Sequence, residues 1–506
     1  MARAVAVLGT GSDVGKSLVA AGLCRILHRA GVRVAPFKSQ NMSLNSFVTP
    51  EGGEMGRAQV LQAQACGLLP HVDMNPILLK PEADQRSQII VQGKIWGTQD
   101  ANGYFGCRPE LFGFVRDSYE RLAKDYQVIV IEGAGSAAEV NLRDRDLVNW
   151  PVVELANAVV VLVADIDRGG VFAQVIGTLD LIDPKERQRV LGIVVNKFRG
   201  DLNLFTDGVA FLEERTGLPV LGVLPFLRDL QLDQEDSVGV DRSSQAPFGD
   251  STVNVAVVLL PHMSNFTDFN ALAAEEDVAL RYAATPAELS RADVVILPGS
   301  KTTIADLAYL KSAGFGARLV EYVDQGGELV GICGGFQMLG HEISDPLGVE
   351  MGGLVKGLGL LEVKTVLHRD KKTVQVVASP AHLGSAVELR VRGYEIHMGE
   401  TRRLKGKACF TIIQTFGQER PEEDREDGAW REDKLVWGTY IHGVFDQPAF
   451  RRAWLNRVRE RKGLPQIDPT VSEAVTARLC SALDRWADHV EKHVDLSRVF
   501  DVLRIA

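Results

Sequence analysis

The stretch Leu329-Val330-Gly331-Ile332-Cys333-Gly334-Gly335-Phe336-Gln337-Met338-Leu339-Gly340 constrains the fold more than any other. A short apolar run suited to a buried strand meets Cys333 on a tight turn, and a helix start follows. Gly331-Ile332-Cys333-Gly334-Gly335 places glycine at both flanking positions of a nucleophile elbow. Such a turn forces strained backbone angles and leaves no room for side chains beside the nucleophile. A helix beginning just after the sulfur aims amide N–H groups at it and favours the thiolate. The bland alternative is a buried structural cysteine, and the paired glycines weigh against it. A cysteine nucleophile needs a base. Far downstream, the apolar run Leu435-Val436-Trp437-Gly438-Thr439-Tyr440-Ile441 ends in His442-Gly443. Alone, His442 reads equally well as a satisfied strand-end histidine; beside the elbow it is the candidate general base.

A second strand-loop-helix signal opens the chain. The apolar strand Ala4–Leu8 runs into Gly9-Thr10-Gly11-Ser12-Asp13-Val14-Gly15-Lys16-Ser17, and helical periodicity follows. In that context the glycine-rich loop is a phosphate site. The backbone from Thr10 through Gly15 would cradle phosphates, Lys16 would neutralise them, and the Ser17 hydroxyl would ligate Mg²⁺. Glu132 ends the strand Val128–Ile131 where a second magnesium ligand belongs. Apolar strands at Val159–Ala164 and Leu191–Val195 alternate with helical segments, so this half is read as a parallel, doubly wound α/β domain. Asn196 and Lys197 follow the last of them, and Asn196 suits helix capping nearly as well as a ligand contact. The polar stretch Pro36–Asn45 lies at the ligand-binding edge of such a sheet, although a solvated loop would look similar.

These motifs carry a resemblance. Cys333 and His442 in their local sequences resemble the class I glutamine amidotransferases, from Val253 to Phe445. That resemblance implies an oxyanion loop at Leu297-Pro298-Gly299-Ser300-Lys301, the Gly299 N–H joining that of Gly334 around a thioester-forming centre. Most class I members carry Glu two residues after the histidine, where this chain has Val444, a departure shared by the cobyrinic and cobyric acid synthase branch. It leaves open what orients His442, with Glu395 and His397 as candidates. The phosphate loop, with Thr10 where glycine is usual, resembles that of dethiobiotin synthetase, and Glu132-Gly133-Ala134-Gly135 matches that family too. Asn196-Lys197 resembles the base contact of P-loop relatives. Lys38-Ser39-Gln40-Asn41-Met42 resembles a cobyric acid synthase signature, placing Lys38, Gln40 and Asn41 on the substrate side; so do the stretches 74–81, 88–94 and 165–172. The resemblance thus implies two doubly wound α/β domains that use ATP, Mg²⁺ and glutamine. It implies amidation of the b, d, e and g carboxylates of adenosylcobyrinic acid a,c-diamide through acyl phosphates.

The chain's 506 residues allow at least two domains. We assign 1–230 to the ATP-dependent domain, 231–251 to a polar, acidic linker, 252–446 to the glutaminase and 447–506 to a helical extension packed on the glutaminase. Residues 418–434 are read as a charged, solvated loop. A net charge of −10 argues against general nucleic-acid or anionic-membrane binding. Six scattered cysteines without a CxxC pair indicate neither zinc nor a disulfide framework. No apolar run is long enough to cross a bilayer and the N-terminus lacks a signal-peptide shape, so cytoplasm is the expected location. Rival readings are an a,c-diamide synthase, a cell-wall precursor amidotransferase and a partitioning ATPase, the last leaving Cys333 and His442 unexplained.

Overall fold

The computed structural model describes residues 2–82, 86–227, 230, 232, 247–381, 389–417 and 425–505. Its first sheet has six parallel strands in the order Val220–Pro225, Val190–Phe198, Val159–Asp165, Arg3–Gly9, Val128–Glu132, Val34–Phe37. Alternate residues of Arg3–Gly9 enter two cores: Ala4, Ala6 and Leu8 pack on one face, Val5 and Val7 on the other. Covering on both faces is what makes these strands near-continuous apolar runs. Gly9, Glu132, Asp165 and Asn196 stand at or just inside the carboxyl ends of adjacent strands, the edge where parallel sheets bind ligands.

The second domain opens with Val253–Val258, in a sheet ordered Val278–Ala283, Val253–Val258, Val294–Leu297, Glu328–Ile332, Val436–Thr439, Ala429–Trp430; only the last pairing is antiparallel. A further sheet is built on the long antiparallel pair Val363–Pro380 and Val391–Arg403. This pair reaches the first domain, where Thr373 Oγ1 donates to Gly52 O at 2.7 Å and Gln375 Nε2 to Val48 O at 2.7 Å. Between them Glu54, buried, takes Lys80 from its own domain and Lys371 from the other.

Two expectations need correction, and one alternative falls away. The polar stretch after Phe37 is not a solvated loop: Gln40–Met42 joins a four-stranded sheet with Ile77–Pro81, Arg86–Val91 and Lys94–Asp100, and Ser46–Val48 pairs with Glu54–Gly56. Of the expected loop 418–434, residues 418–424 lie outside the described residues, but 426–430 are structured. Asp427 is buried and accepts from the Thr439 hydroxyl and, at 3.2 Å, the Tyr440 N–H. The tail divides between the domains. Its first helix, Pro448–Lys462, packs on the second domain through Arg451 and Arg452 against Glu275. The second, Val475–His493, returns to the first domain: Trp486 Nε1 donates to Leu18 O at 2.6 Å, and Arg25 forks onto Asp484 at 2.8 and 2.9 Å. Most of the expected linker, 231–251, lies outside the described residues. No helix among the described residues is long and apolar enough to cross a membrane.

The returning tail fits against Gly222, where a Cβ would stand 2.1 Å from His493 O and 2.7 Å from Val494 Cα. Gly222→Val is therefore expected to lower stability by about 1–3 kcal/mol through overpacking. An unchanged denaturant midpoint would contradict this packing.

Candidate active site

Cys333 takes φ 52° and ψ −108°, a strained conformation for a side chain of any size, between Glu328–Ile332 and the short helix Gly334–Leu339. The glycines around it are steric necessities. A Cβ on Gly331 would meet Gly335 O and Phe336 Cα at 2.8 Å, and one on Gly335 would meet Leu297 O at 2.1 Å. Cys333 and His442 come together: the Cys333 N–H donates to Thr439 O at 2.8 Å, three residues before His442, and the sulfur lies close enough to raise the imidazole pKa.

The sequence reading missed the third member. Asp268, on the single turn Phe266–Phe269, bonds His442 Nδ1 at 2.6 Å and accepts the Gly443 N–H at 3.0 Å. It lies 174 residues from His442, with no local motif to announce it. Glu395 is not the orienting carboxylate; it pairs with Lys372 at 3.0 Å. His397 stacks on Tyr440 with centroids 3.7 Å apart, and its Nδ1 bonds Gly399 O at 3.0 Å. Asp268 and His442 are each 1% exposed. Burial opposes the imidazolium, but the carboxylate and the sulfur flanking the ring favour it, pushing the His442 pKa up to about 10. The arrangement is a Cys-His-Asp line in which His442 and Asp268 form a buried ion pair.

Gly299 also lies in the site: a Cβ there would meet His442 Cε1 at 3.1 Å and Ser264 O at 3.2 Å. It pairs with Ser264 in a two-residue antiparallel ladder, and Lys301 N–H donates to His262 O at 3.0 Å. Alternation along such a ladder turns the Gly299 N–H toward Ser264 and the Ser300 N–H outward. Gly334 faces Ser300, its would-be Cβ 2.9 Å from Ser300 N.

In the first domain the structure gathers the remaining candidates around Glu132, which is 1% exposed. Its Oε1 accepts from Ser17 Oγ at 2.7 Å and Lys38 Nζ at 2.9 Å; its Oε2 accepts from Gln59 Nε2 at 3.2 Å and from Gln62 Nε2. Gln59 and Gln62 were not foreseen, although their three-residue spacing on the buried helix Arg57–Ala65 was a usable signal. Asn41 reaches the cluster through Gln59 at 3.0 Å, whereas Gln40 pairs with the Tyr104 hydroxyl. Lys16 Nζ bridges Gly11 O and Gly135 O at 2.8 and 2.9 Å, spanning the loop mouth. Thr10 donates its N–H to Val163 O, while Ser12 and Asp13 are exposed and Val14 is buried. Gly15 has φ 99° and packs against Asn196, whose Nδ2 donates to Val14 O at 2.9 Å. Lys197 bonds Asp13 O and, at 2.9 Å, Asp165 Oδ2. In this arrangement Asn196 and Lys197 brace the loop. A hydroxyl and a carboxylate 2.7 Å apart beside a phosphate cradle suit Mg²⁺, which takes few protein oxygens and completes its shell with phosphate and water.

Two family models agree with this architecture. Residues 5–238 match the CobQ/CobB/MinD/ParA nucleotide-binding domain family, and residues 254–450 match the CobB/CobQ-like glutamine amidotransferase domain family. The cobyric acid synthases of Klebsiella pneumoniae (strain 342) and Salmonella arizonae are each 48% identical over 510 residues, covering 100% of this chain and 99% of theirs. The chain belongs to the cobyric acid synthase family. Among solved structures, PurLQS from Thermotoga maritima matches 46% of the chain and 99% of its own at 16% identity and a TM-score of 0.30.

A proton held by the Asp268–Cys333 pair has a measurable signature. The raised His442 pKa stabilises the folded state fully below about 6.5, the unfolded value, and this is lost as pH rises through about 10. NMR titration is expected to show an imidazolium persisting above neutrality, with Asp268→Asn titrating lower. An ordinary pKa in both proteins would contradict the His442–Asp268 ion pair.

Proposed function

We propose that the chain converts adenosylcobyrinic acid a,c-diamide to cobyric acid by amidating its b, d, e and g carboxylates with ammonia from glutamine, using ATP and Mg²⁺. Full-length likeness to cobyric acid synthases carries this reading, and two chemically matched half-sites on one chain support it.

In the glutaminase, the Cys333 thiolate attacks the side-chain amide carbon of glutamine. The resulting oxyanion falls to the Gly334 N–H and the loop Gly299–Lys301, where the outward Ser300 N–H suits the role better than Gly299 in this ladder. His442 enters as the acid: already protonated beside the thiolate, it hands its proton to the departing nitrogen, leaving a thioester and neutral ammonia. Thioester formation removes the charge on sulfur, so His442 can then take a proton from the attacking water, releasing glutamate and the thiol. Asp268 keeps the ring in one orientation throughout.

In the first domain, a corrinoid carboxylate oxygen attacks the γ-phosphorus of ATP, giving an acyl phosphate and ADP. Ammonia attacks the acyl carbon, and phosphate and a proton leave. Lys16 exchanges its two carbonyls for phosphate oxygens, and the Gly9–Gly15 backbone positions the chain of phosphates. Ser17 and Glu132 would hold Mg²⁺, which would supply neutralisation of the transferring phosphoryl group. Lys38, Gln40 and Asn41 face the substrate side, with Lys38 able to follow charge moving away from Glu132.

Cys333→Ala is expected to abolish amidation with glutamine while ammonium salts still support it. Lys16→Ala is expected to lose both. Asp268→Asn should cost on the order of 10²–10⁴ in glutamine-dependent kcat and spare the ammonia reaction. Equal loss of both nitrogen sources in Cys333→Ala would break the two-site assignment.

A further inference from the structure

The helix Arg57–Ala65 touches both half-sites. Toward its middle, Gln59 and Gln62 hold Glu132. At its first residue, Arg57 Nη2 donates to the Tyr394 hydroxyl at 3.3 Å, and its guanidinium lies 5.1 Å from the Phe47 ring centroid and 5.7 Å from that of Tyr394. Tyr394 belongs to the glutaminase and stacks on His442, with centroids 5.3 Å apart and planes at 18°. The Tyr394 hydroxyl also accepts from Asn265 Nδ2 at 3.2 Å and donates to Ser46 O at 3.2 Å, and the Ser46 N–H donates to Asn265 Oδ1 at 3.2 Å. Asn265 immediately precedes the turn that carries Asp268. Tyr394 thus rests on Ser46 and Arg57 of the other domain, and the turn carrying Asp268 is tied to Ser46 through Asn265.

We propose that Arg57, acting through the Tyr394 hydroxyl, is a positioning residue that makes glutamine hydrolysis depend on occupancy of the Lys16–Glu132 site. The inference rests on the preceding assignment of the two half-sites. The differential interaction is at Glu132. Its two oxygens serve four donors, and a cation with its phosphates needs lone pairs from both Glu132 and Ser17. Turning Glu132 toward that cation loosens its bonds to Gln59 and Gln62 of the helix, and lets the first residue of that helix shift against Tyr394. A ligand moves an equilibrium only through such a difference in contacts. Ammonia made before an acyl phosphate exists is lost to water, so occupancy raises the hydrolytic rate.

The test measures glutamate release by the full-length protein at saturating glutamine, with and without a non-hydrolysable ATP analogue and Mg²⁺. Ammonia-driven amidation is measured alongside. The wild type is expected to gain about five-fold or more on adding the analogue. Arg57→Met is expected to lose most of that ratio, Arg57→Lys to retain part of it, and ammonia-driven amidation to stay within about two-fold in both. A contact serving only folding would lower both activities together and leave the ratio intact. The same ratio in Arg57→Met, no response in the wild type, or parallel loss of ammonia-driven amidation would each overturn the proposal. No glutamate release by the wild type under any condition would overturn the assignment of Cys333 itself.

Discussion

The bond between Asp268 and His442 is the interaction on which the catalytic geometry depends. Isolated charges this deeply buried would each cost several kcal/mol in lost hydration. Here the imidazolium lies between carboxylate and sulfur, and the second carboxylate oxygen takes the Gly443 N–H. The carboxylate is delivered by a turn whose flanking Phe266 and Phe269 are anchored in the core, with Asn265 entering it at φ 53°. The strain at Cys333 is held by the same close packing, since Leu297, Gly335 and Phe336 leave the elbow nowhere to relax.

That geometry is not self-contained within one domain. Lys301, at the end of the Gly299–Lys301 loop, pairs with Glu82 at 2.7 Å, the Asp268 turn is tied to Ser46, and the long antiparallel pair runs against Gly52 and Val48. The tail then returns across the first domain, where Arg3 bonds Leu503 O and Asp495 N–H donates to Leu221 O at 2.7 Å. Holding an ammonia source and an ammonia acceptor in one frame raises effective concentration and fixes the direction of delivery.

Much of this was legible in the chain. The two glycine-rich strand-to-helix turns announced two α/β sheets, because steric demands at each turn leave a local imprint in residues 9–17 and 331–335. Cys333 and His442 were readable for the same reason. Asp268 was not, because its role is set by a contact across 174 residues and its own surroundings, Phe266-Thr267-Asp268-Phe269, carry no spacing rule. The short strands 40–42 and 46–48 were not foreseen, since three-residue strands have too few positions to show alternation. Asp427 looked like surface charge within an acidic run; its burial and its bonds from Thr439 and Tyr440 reveal a buried strut. The tail's destination was equally hidden: helical periodicity shows that Val475–His493 has an apolar face, not which domain it covers.

The account stands on one chemical claim, that glutamine nitrogen ends in corrinoid amides made by this single chain. Mass spectrometry of adenosylcobyrinic acid a,c-diamide incubated with the protein, ATP, Mg²⁺ and amide-¹⁵N glutamine tests it most directly. The predicted result is a ladder of stepwise amidations, each carrying the label and ending at the fourth. An unchanged corrinoid mass while labelled ammonia accumulates would contradict the claim.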